Sequence, residues 1–244
     1  KVLGRHGINR SDIVVLYDSV ARDGGATASY VFWVLDLLGH PRKRVLDGGI
    51  DQWIEAGEDT AGEPQTREPV VYQTPLRELR PRSVVTGREV YKHLADPYYQ
   101  IVDVRSRAEY LGEEGTKGLQ GNPLKLGHIP GAYNINYQKA WVDTESKRIK
   151  TYSALQDLYS GLDPRRCVVV YCNSGRRSSF SYFILRLIGF PDVRTYEASW
   201  KEWGLPGKFL PVQLSENPLE GARPQASSGT VDEQQPQQPA KRSG

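Results

Sequence analysis

The stretch Val168-Val169-Val170-Tyr171-Cys172-Asn173-Ser174-Gly175-Arg176-Arg177-Ser178 decides both the fold class and the chemistry of this chain. The apolar run that ends at Tyr171 is typical of a buried β-strand. The segment 178–188 predicts a helix, so a short loop joins a strand end to a helix start. A thiol at this junction faces the backbone N–H groups of a helix N-terminus and has two guanidinium groups nearby, which favours the thiolate. Cys172 is therefore predicted to be an activated nucleophile.

The loop that follows this cysteine has the composition of an anion-binding cradle. Gly175 permits positive φ and a close approach of the backbone to a ligand. Successive N–H groups around such a residue point inward and form an anion nest. Arginine near a helix start stands at the wrong end of the helix dipole, which indicates a role facing an anion. The predicted substrate-binding residues are Asn173, Ser174, Gly175, Arg176 and Arg177.

The other cysteine, Cys167, is predicted to be inert. The two cysteines bracket one strand, five positions apart, which is too far for a disulfide in an extended chain. An odd separation also places them on opposite faces of the sheet. Neither a zinc-ligand spacing nor a redox C-x-x-C is present, so no metal site is predicted.

An internal repeat organises the chain into a first and a second copy. Val14-Val15-Leu16-Tyr17-Asp18 matches 168–172, and each run precedes a predicted helix, 26–38 or 178–188. A Gly and a Trp lie 14 positions apart in both copies, at 39 and 53 and at 189 and 203. Agreement at a fixed offset indicates duplication.

The first copy differs from the second where the chemistry lies. Asp18 stands at the position of Cys172, so the first copy is predicted to carry out no thiol chemistry. From Asp18 to Gly39 is 21 positions, and from Cys172 to Gly189 is 17, so the first loop is four residues longer. The first copy also has no counterpart of 84–166. Since residue 1 is Lys, the chain is expected to be a fragment or a processed form.

These patterns divide the chain into four parts. Residues 1–57 form the later part of an inactive domain, and 58–83, rich in Pro and charge, form a linker. Residues 84–212 form the catalytic domain, in which strands alternate with helices, as is typical of an α/β fold with a parallel sheet. Residues 213–244, rich in Gln, Pro, Ser and Gly, are predicted to be a disordered tail.

Four further residues are expected to support the site structurally. Arg105 and Glu109 are spaced to form an ion pair that braces it. Asp103 is expected to accept hydrogen bonds from the active loop. His128, within Gly-His-Ile-Pro-Gly-Ala, is expected to be a hydrogen-bonded turn residue in preference to a general base.

Taken together, these motifs resemble the rhodanese (sulfurtransferase) family, in particular bacterial tandem-domain members with a C-x-x-G-x-R loop. The resemblance covers about 84–212 as a complete domain, and its elements occur in the family's order: Asp103-x-Arg105, Glu109-Tyr110, Gly127-His128-Ile129-Pro130-Gly131-Ala132, Cys172-x-x-Gly175-x-Arg177 and Trp203-x-x-x-Gly207. It implies a rhodanese-like parallel sheet flanked by helices, in a tandem repeat whose first copy is truncated. It also implies that Cys172 takes sulfane sulfur as a persulfide and passes it to cyanide or a thiol, without metal or organic cofactor.

The sequence departs from the family's mammalian-type enzymes in ways that leave the donor open. Those enzymes carry Arg where Glu109 stands, and the Gly pair at 48–49 is Ala198-Ser199 in the active copy. Thiosulfate is the expected donor, since two loop arginines suit a compact dianion, and 3-mercaptopyruvate is the alternative. The expected partners are thus a small anionic donor and a thiol or cyanide acceptor.

A cysteine phosphatase or arsenate reductase on the same fold is the main rival, and a binding module without catalysis is another. The phosphatases need C-x5-R, whereas Arg177 gives C-x4-R, a tighter cradle suited to one sulfur atom. A binding module fits the first copy but not the second, which keeps its cysteine.

Composition excludes several other classes. The 244 residues are 38% hydrophobic and 25% charged with a net charge of +3, as in a globular protein without a nucleic-acid footprint. No apolar run approaches the roughly 18 residues of a membrane span. We therefore expect a soluble protein, cytoplasmic or periplasmic.

Overall fold

Two parallel sheets of unequal size carry the two copies of the repeat. The computed structural model describes residues 1–22 and 25–217. In the first copy β1 (Val14–Leu16) pairs with β2 (Lys43–Val45). The second copy has four parallel strands in the order β4-β3-β5-β6, which are β3 (Tyr99–Asp103), β4 (Tyr133–Asn134), β5 (Cys167–Tyr171) and β6 (Val193–Thr195).

Helices cover the faces of these sheets and confirm the predicted α/β class with a parallel sheet. They are α1 (Val2–Arg5), α2 (Ala26–Leu37), α3 (Gly49–Glu55), α4 (Gly87–Lys92), α5 (Arg107–Leu111), α6 (Tyr152–Leu158), α7 (Arg176–Leu187) and α8 (Ser199–Trp203), with 3-10 turns at Leu76–Glu78, Pro81–Ser83 and Tyr137–Ala140. Within the described ranges, none of these helices has the length and apolar character needed to span a membrane.

Strand β5 is the centre of the second copy and is buried along its whole length. Because strand side chains alternate, β5 faces two separate hydrophobic clusters. Val168 and Val170 belong to one cluster together with Cys172, whereas Cys167 belongs to the other with Val169. The two cysteines therefore lie on opposite faces, as predicted, and both are free thiols.

Equivalent backbone hydrogen bonds recur in the two copies. The N–H of Ile50 donates to the carbonyl of Asp18 (2.9 Å), and the N–H of Trp200, 150 positions later, donates to that of Cys172 (3.1 Å). In each copy the helix that follows the last strand thus holds the loop that ends the central strand.

The loop of the first copy is filled by its own side chain. The Asp18 carboxylate accepts hydrogen bonds from the N–H groups of Thr27 and Ala28, both 2.9 Å long, at the start of α2. The cavity enclosed at this loop measures about 20 Å³, which is about the room one water needs.

Helices α2 and α7 pack against each other and join the copies. Phe32 and Phe183 make an edge-to-face contact with ring centroids 4.9 Å apart. The Tyr182 hydroxyl donates to the buried carboxylate of Asp36 (2.5 Å), which also pairs with Lys43 (2.7 Å). Burial alone would raise the pKa of Asp36, but these partners outweigh it and hold that pKa below its usual range. The interface therefore contains a buried anion whose partners come from both copies.

The segments outside the sheets are tied to the body by hydrogen bonds. In the linker, the N–H of Val70 donates to the carbonyl of Gly4 (2.8 Å), and Tyr72 contacts His40. Residues 213–217, expected to be part of a disordered tail, instead form hydrogen bonds with the second copy. Gln213 exchanges two backbone hydrogen bonds with His128, each 2.9 Å long. Residues 218–244 lie outside the described part of the chain.

We predict that Tyr182→Phe lowers the free energy of unfolding by about 1.5–3 kcal/mol, because it removes a hydrogen bond to a buried carboxylate. Urea unfolding would measure the loss. Tyr91→Phe is the matched control, since Tyr91 is 51% exposed, and it should leave stability unchanged. Equal midpoints for the two variants would show that the hydroxyl contributes nothing at the interface.

Candidate active site

Cys172 follows the last residue of β5 and lies at the carboxyl edge of the sheet, where parallel α/β sheets bind ligands. Its surface is only 1% exposed. Its Sγ accepts a hydrogen bond from the backbone N–H of Ser174 (3.4 Å). The sulfur thus lies against an inward-pointing backbone amide.

The loop after the cysteine is shorter than predicted. Helix α7 begins at Arg176, two positions before the predicted start at 178, because Gly175 adopts φ 85° and caps the helix. The Ser178 hydroxyl donates to the Gly175 carbonyl (2.9 Å). Both arginines therefore stand in the first turn of a twelve-residue helix, whose N-terminal N–H groups face the loop.

Ser199 is a site residue that the sequence reasoning missed. Its hydroxyl accepts a hydrogen bond from the N–H of Cys172 (3.1 Å) and donates to the carbonyl of Tyr196 (2.7 Å). It is fully buried and has φ 54°, a conformation that L-residues other than Gly rarely adopt. The signal was in the repeat: the matching residue, Gly49, has φ 60°.

Helix α8 fixes the loop from the other side. The N–H of Trp200 donates to the Cys172 carbonyl (3.1 Å), and the N–H of Lys201 donates to the Asn173 carbonyl (3.0 Å). Asn173 Oδ1 is buried and accepts no hydrogen bond within the described ranges. The loop backbone is therefore anchored, and its remaining N–H groups can face a ligand.

Arg177 forms a bidentate ion pair with Glu109, with N–O distances of 2.7 and 2.9 Å. This corrects the predicted pairing of Glu109 with Arg105. Helix α5 starts only at 107, so Arg105 lies outside it and the four-residue helical spacing does not apply. Glu109 also accepts a hydrogen bond from the N–H of Ser106 (3.0 Å), which completes a capping box.

Glu109 and Arg177 shift each other's pKa toward the charged form. Burial would raise the pKa of Glu109, but Arg177 lowers it below its usual range. Burial would likewise lower the pKa of Arg177, whereas Glu109 and the nearby Cys172 raise it. Both groups are therefore ionised at neutral pH.

Arg105 pairs with Asp103 instead, and the pair is fully buried. Arg105 Nη2 lies 2.6 Å from Asp103 and donates to the carbonyl of Gly127 (2.7 Å). Its guanidinium also lies 4.4 Å from the centroid of the Trp200 ring. Asp103 was expected to accept hydrogen bonds from the active loop; it accepts one from the Tyr171 hydroxyl instead (2.6 Å). The loop N–H groups are already directed elsewhere, and Asp103 fixes the residue that precedes the cysteine.

His128 is fully buried in its turn, with Nδ1 2.7 Å from the carbonyl of Tyr110. Its ring stacks on the Tyr110 ring with centroids 3.6 Å apart. Burial lowers the pKa of His128, so the neutral ring donates from Nδ1. Its contacts brace helix α5, which carries Glu109.

Arg176 extends away from this pair toward the first copy, where its Nη2 donates to the Thr27 hydroxyl (2.7 Å). The two arginines that the sequence placed together beside the thiol thus have different partners. Across the described residues, no cluster of His, Cys, Asp and Glu side chains is arranged to hold a metal ion.

We predict that Ser199→Gly is more stable than Ser199→Ala by about 1 kcal/mol, because glycine adopts positive φ without strain. Both variants lose the hydroxyl that accepts from Cys172. The control pair is Ser153→Gly and Ser153→Ala in the exposed helix α6, where the order should be reversed because glycine disfavours helix by about 1 kcal/mol. Thermal unfolding decides, and the same order at both positions would contradict the strain at Ser199.

Comparison with known proteins assigns this arrangement to a family. A family model described as a rhodanese-like domain matches residues 86–205. The chain is 34% identical over 227 residues to the putative thiosulfate sulfurtransferase SseA of Mycobacterium leprae, which covers 89% of this chain and 71% of the relative. It is 35% identical over 212 residues to the sulfur carrier protein TtuD of Thermus thermophilus, with coverage of 84% and 72%.

Solved structures share the fold. The wild-type structure of EanB is 27% identical with a TM-score of 0.72, covering 88% of this chain, which spans 53% of the EanB chain. Tum1 of Saccharomyces cerevisiae, at 22% identity, a TM-score of 0.73 and coverage of 88% of this chain and 73% of Tum1, shows the same fold. The chain therefore belongs to the rhodanese family of sulfurtransferase enzymes.

Proposed function

We propose that the chain is a thiosulfate sulfurtransferase that transfers sulfane sulfur through a persulfide on Cys172 to cyanide or a thiol. The observation that carries the proposal is the N–H of Ser174, 3.4 Å from Sγ at the N-terminus of α7. A persulfide sulfur is a small anion, and backbone N–H groups at a helix N-terminus stabilise such anions.

The reaction follows a ping-pong course in two balanced steps. The Cys172 thiolate attacks the outer sulfur of thiosulfate, a sulfur–sulfur bond forms, and the donor's own sulfur–sulfur bond breaks. Its electron pair leaves with sulfite. The acceptor then attacks the outer sulfur of the persulfide, and the electron pair of that bond returns to Cys172. Donor and acceptor supply all the electrons, so the chemistry calls for no cofactor.

The supporting residues have separate roles in this mechanism. Arg177 stays cationic beside the thiol and is held in one orientation by Glu109, so it stabilises the anionic sulfur without leaving the loop. Ser199 and Trp200 fix the backbone of Cys172 on either side of its Cα. Preorganised groups of this kind cost no rearrangement when charge develops.

Two alternatives to thiosulfate transfer place different demands on this loop. A phosphatase needs its loop arginine for a tetrahedral oxyanion, whereas both terminal nitrogens of Arg177 already donate to Glu109. Transfer from 3-mercaptopyruvate uses the same cysteine. The relatives named thiosulfate sulfurtransferases favour thiosulfate as donor.

We predict that incubation with thiosulfate adds one sulfur atom to the protein and that cyanide removes it, as read by intact mass. Cys172→Ser should abolish the addition. Cys167→Ser is the matched control and should retain it, because burial raises the pKa of Cys167 to about 12 and keeps that thiol protonated. Sulfur addition to the Cys172 variant would overturn the assignment.

We further predict that kcat/KM for thiosulfate exceeds that for 3-mercaptopyruvate by at least about tenfold. A factor of ten corresponds to about 1.4 kcal/mol, less than one charge-assisted hydrogen bond to the more highly charged donor. Initial rates with both donors at a fixed cyanide concentration test this preference. A higher efficiency with 3-mercaptopyruvate would identify that compound as the better donor.

A further inference from the structure

A groove opens beside the active loop where the two copies meet. The first copy contributes Arg22, Thr27 and Tyr30 to its lining, and the second contributes Ser174 and Arg176. Its volume is about 490 Å³, within the range of about 300–1,000 Å³ that is common for small-molecule sites. The groove therefore has room for a donor anion, and the first copy forms much of its wall.

The groove adjoins the loop that carries the reacting sulfur. Cys172 itself is 1% exposed and is not part of the groove lining. Ser174, whose N–H contacts Sγ, is itself a lining residue of the groove. A ligand in the groove thus stands next to the amide that holds the thiol.

The arginine side chains near the groove differ in whether other residues already pair with them. Arg177 donates both terminal nitrogens to Glu109, and Arg176 reaches Thr27. The guanidinium of Arg22 makes no hydrogen bond or ion pair to any residue that the structure describes, and its side chain is exposed. An unneutralised guanidinium is the group best suited to attract an anion from solvent.

A negative charge, the carboxylate of Glu197, lies on the Tyr30 side of the groove. The Tyr30 hydroxyl donates to the carboxylate of Glu197 (3.2 Å), which lies against Gly175. An approaching anion is repelled by Glu197 and attracted by Arg22. The electrostatic potential therefore favours an anion on the Arg22 side of the groove.

We propose that Arg22, from the copy without a cysteine, recruits and orients the anionic sulfur donor for reaction at Cys172. This inference rests on the proposed function and identifies a specificity-determining residue for it. The longer loop of the first copy then has a use: it carries a positive charge to the neighbouring active site.

The test isolates the donor half-reaction. Protein without acceptor is mixed with thiosulfate, and the rate of single-sulfur addition to Cys172 is followed by intact mass at several thiosulfate concentrations. The second-order rate constant should fall about tenfold in Arg22→Ala, corresponding to ~1.4 kcal/mol, and further in Arg22→Glu. Arg22→Lys should retain most of it, since the charge is kept.

Two controls separate recruitment from a general structural effect. Arg42→Ala removes another exposed arginine of the first copy, outside the groove lining, and should leave the rate unchanged. Raising the ionic strength should slow the unmodified protein more than Arg22→Ala, because salt screens steering by an exposed charge. Discharge of the preformed persulfide by 2-mercaptoethanol, an uncharged acceptor, should be unaffected in all variants.

Outcomes for the two proposals are distinct. Sulfur addition to Arg22→Ala at the unmodified rate, or equal losses in Arg22→Ala and Arg42→Ala, would overturn the role of Arg22 alone. Absence of any sulfur addition in the unmodified protein would overturn the proposed function, and the role of Arg22 with it.

Discussion

The active site depends on how the backbone of Cys172 is held between β5 and α8. Its N–H donates to Ser199 Oγ, and its carbonyl accepts from the N–H of Trp200. Both backbone groups of this buried residue are therefore satisfied outside its own strand and the following helix. The next N–H groups are left to turn inward, and that of Ser174 reaches the sulfur. A strained φ at Ser199 accompanies this geometry, which is consistent with strain concentrated at a functional site.

The two copies share one arrangement of strand, loop and helix but carry different side chains in it. In both, a central strand ends at a loop whose next helix presents N–H groups to an anion. In the first copy that anion is the Asp18 carboxylate, which Thr27 and Ala28 bind permanently. In the second, Cys172 stands at the matching position, and the N–H of Ser174 donates to its sulfur. The Asp18 carboxylate thus acts as a cap for helix α2, where the second copy has a thiol.

The sequence was sufficient to predict local structure around the cysteine. A continuous apolar run, a Gly and an amphipathic segment indicate strand, loop and helix, and the odd spacing of Cys167 and Cys172 assigns their faces. It was insufficient for contacts that depend on tertiary packing. The predicted partner of Glu109 was wrong because Arg105 lies before the start of α5 and so does not share a helix face with Glu109. Ser199 was missed because its hydroxyl contacts a residue 27 positions earlier, and only the matching Gly49 of the first copy pointed to its positive φ.

The arginines near Cys172 face two electrostatic demands that conflict, and the first copy offers a position for one of them. A cation inside the loop must be fixed if it is to stabilise a sulfur anion, and Glu109 fixes Arg177 by neutralising much of its field. A cation that attracts a donor from solvent must instead remain exposed and unpaired. One side chain cannot meet both requirements. In our proposal the two copies divide them, with a partly buried Arg177 paired to Glu109 and an exposed Arg22 in the lining of the groove. The first copy provides the second position, because its residues line the groove together with residues of the loop that follows Cys172.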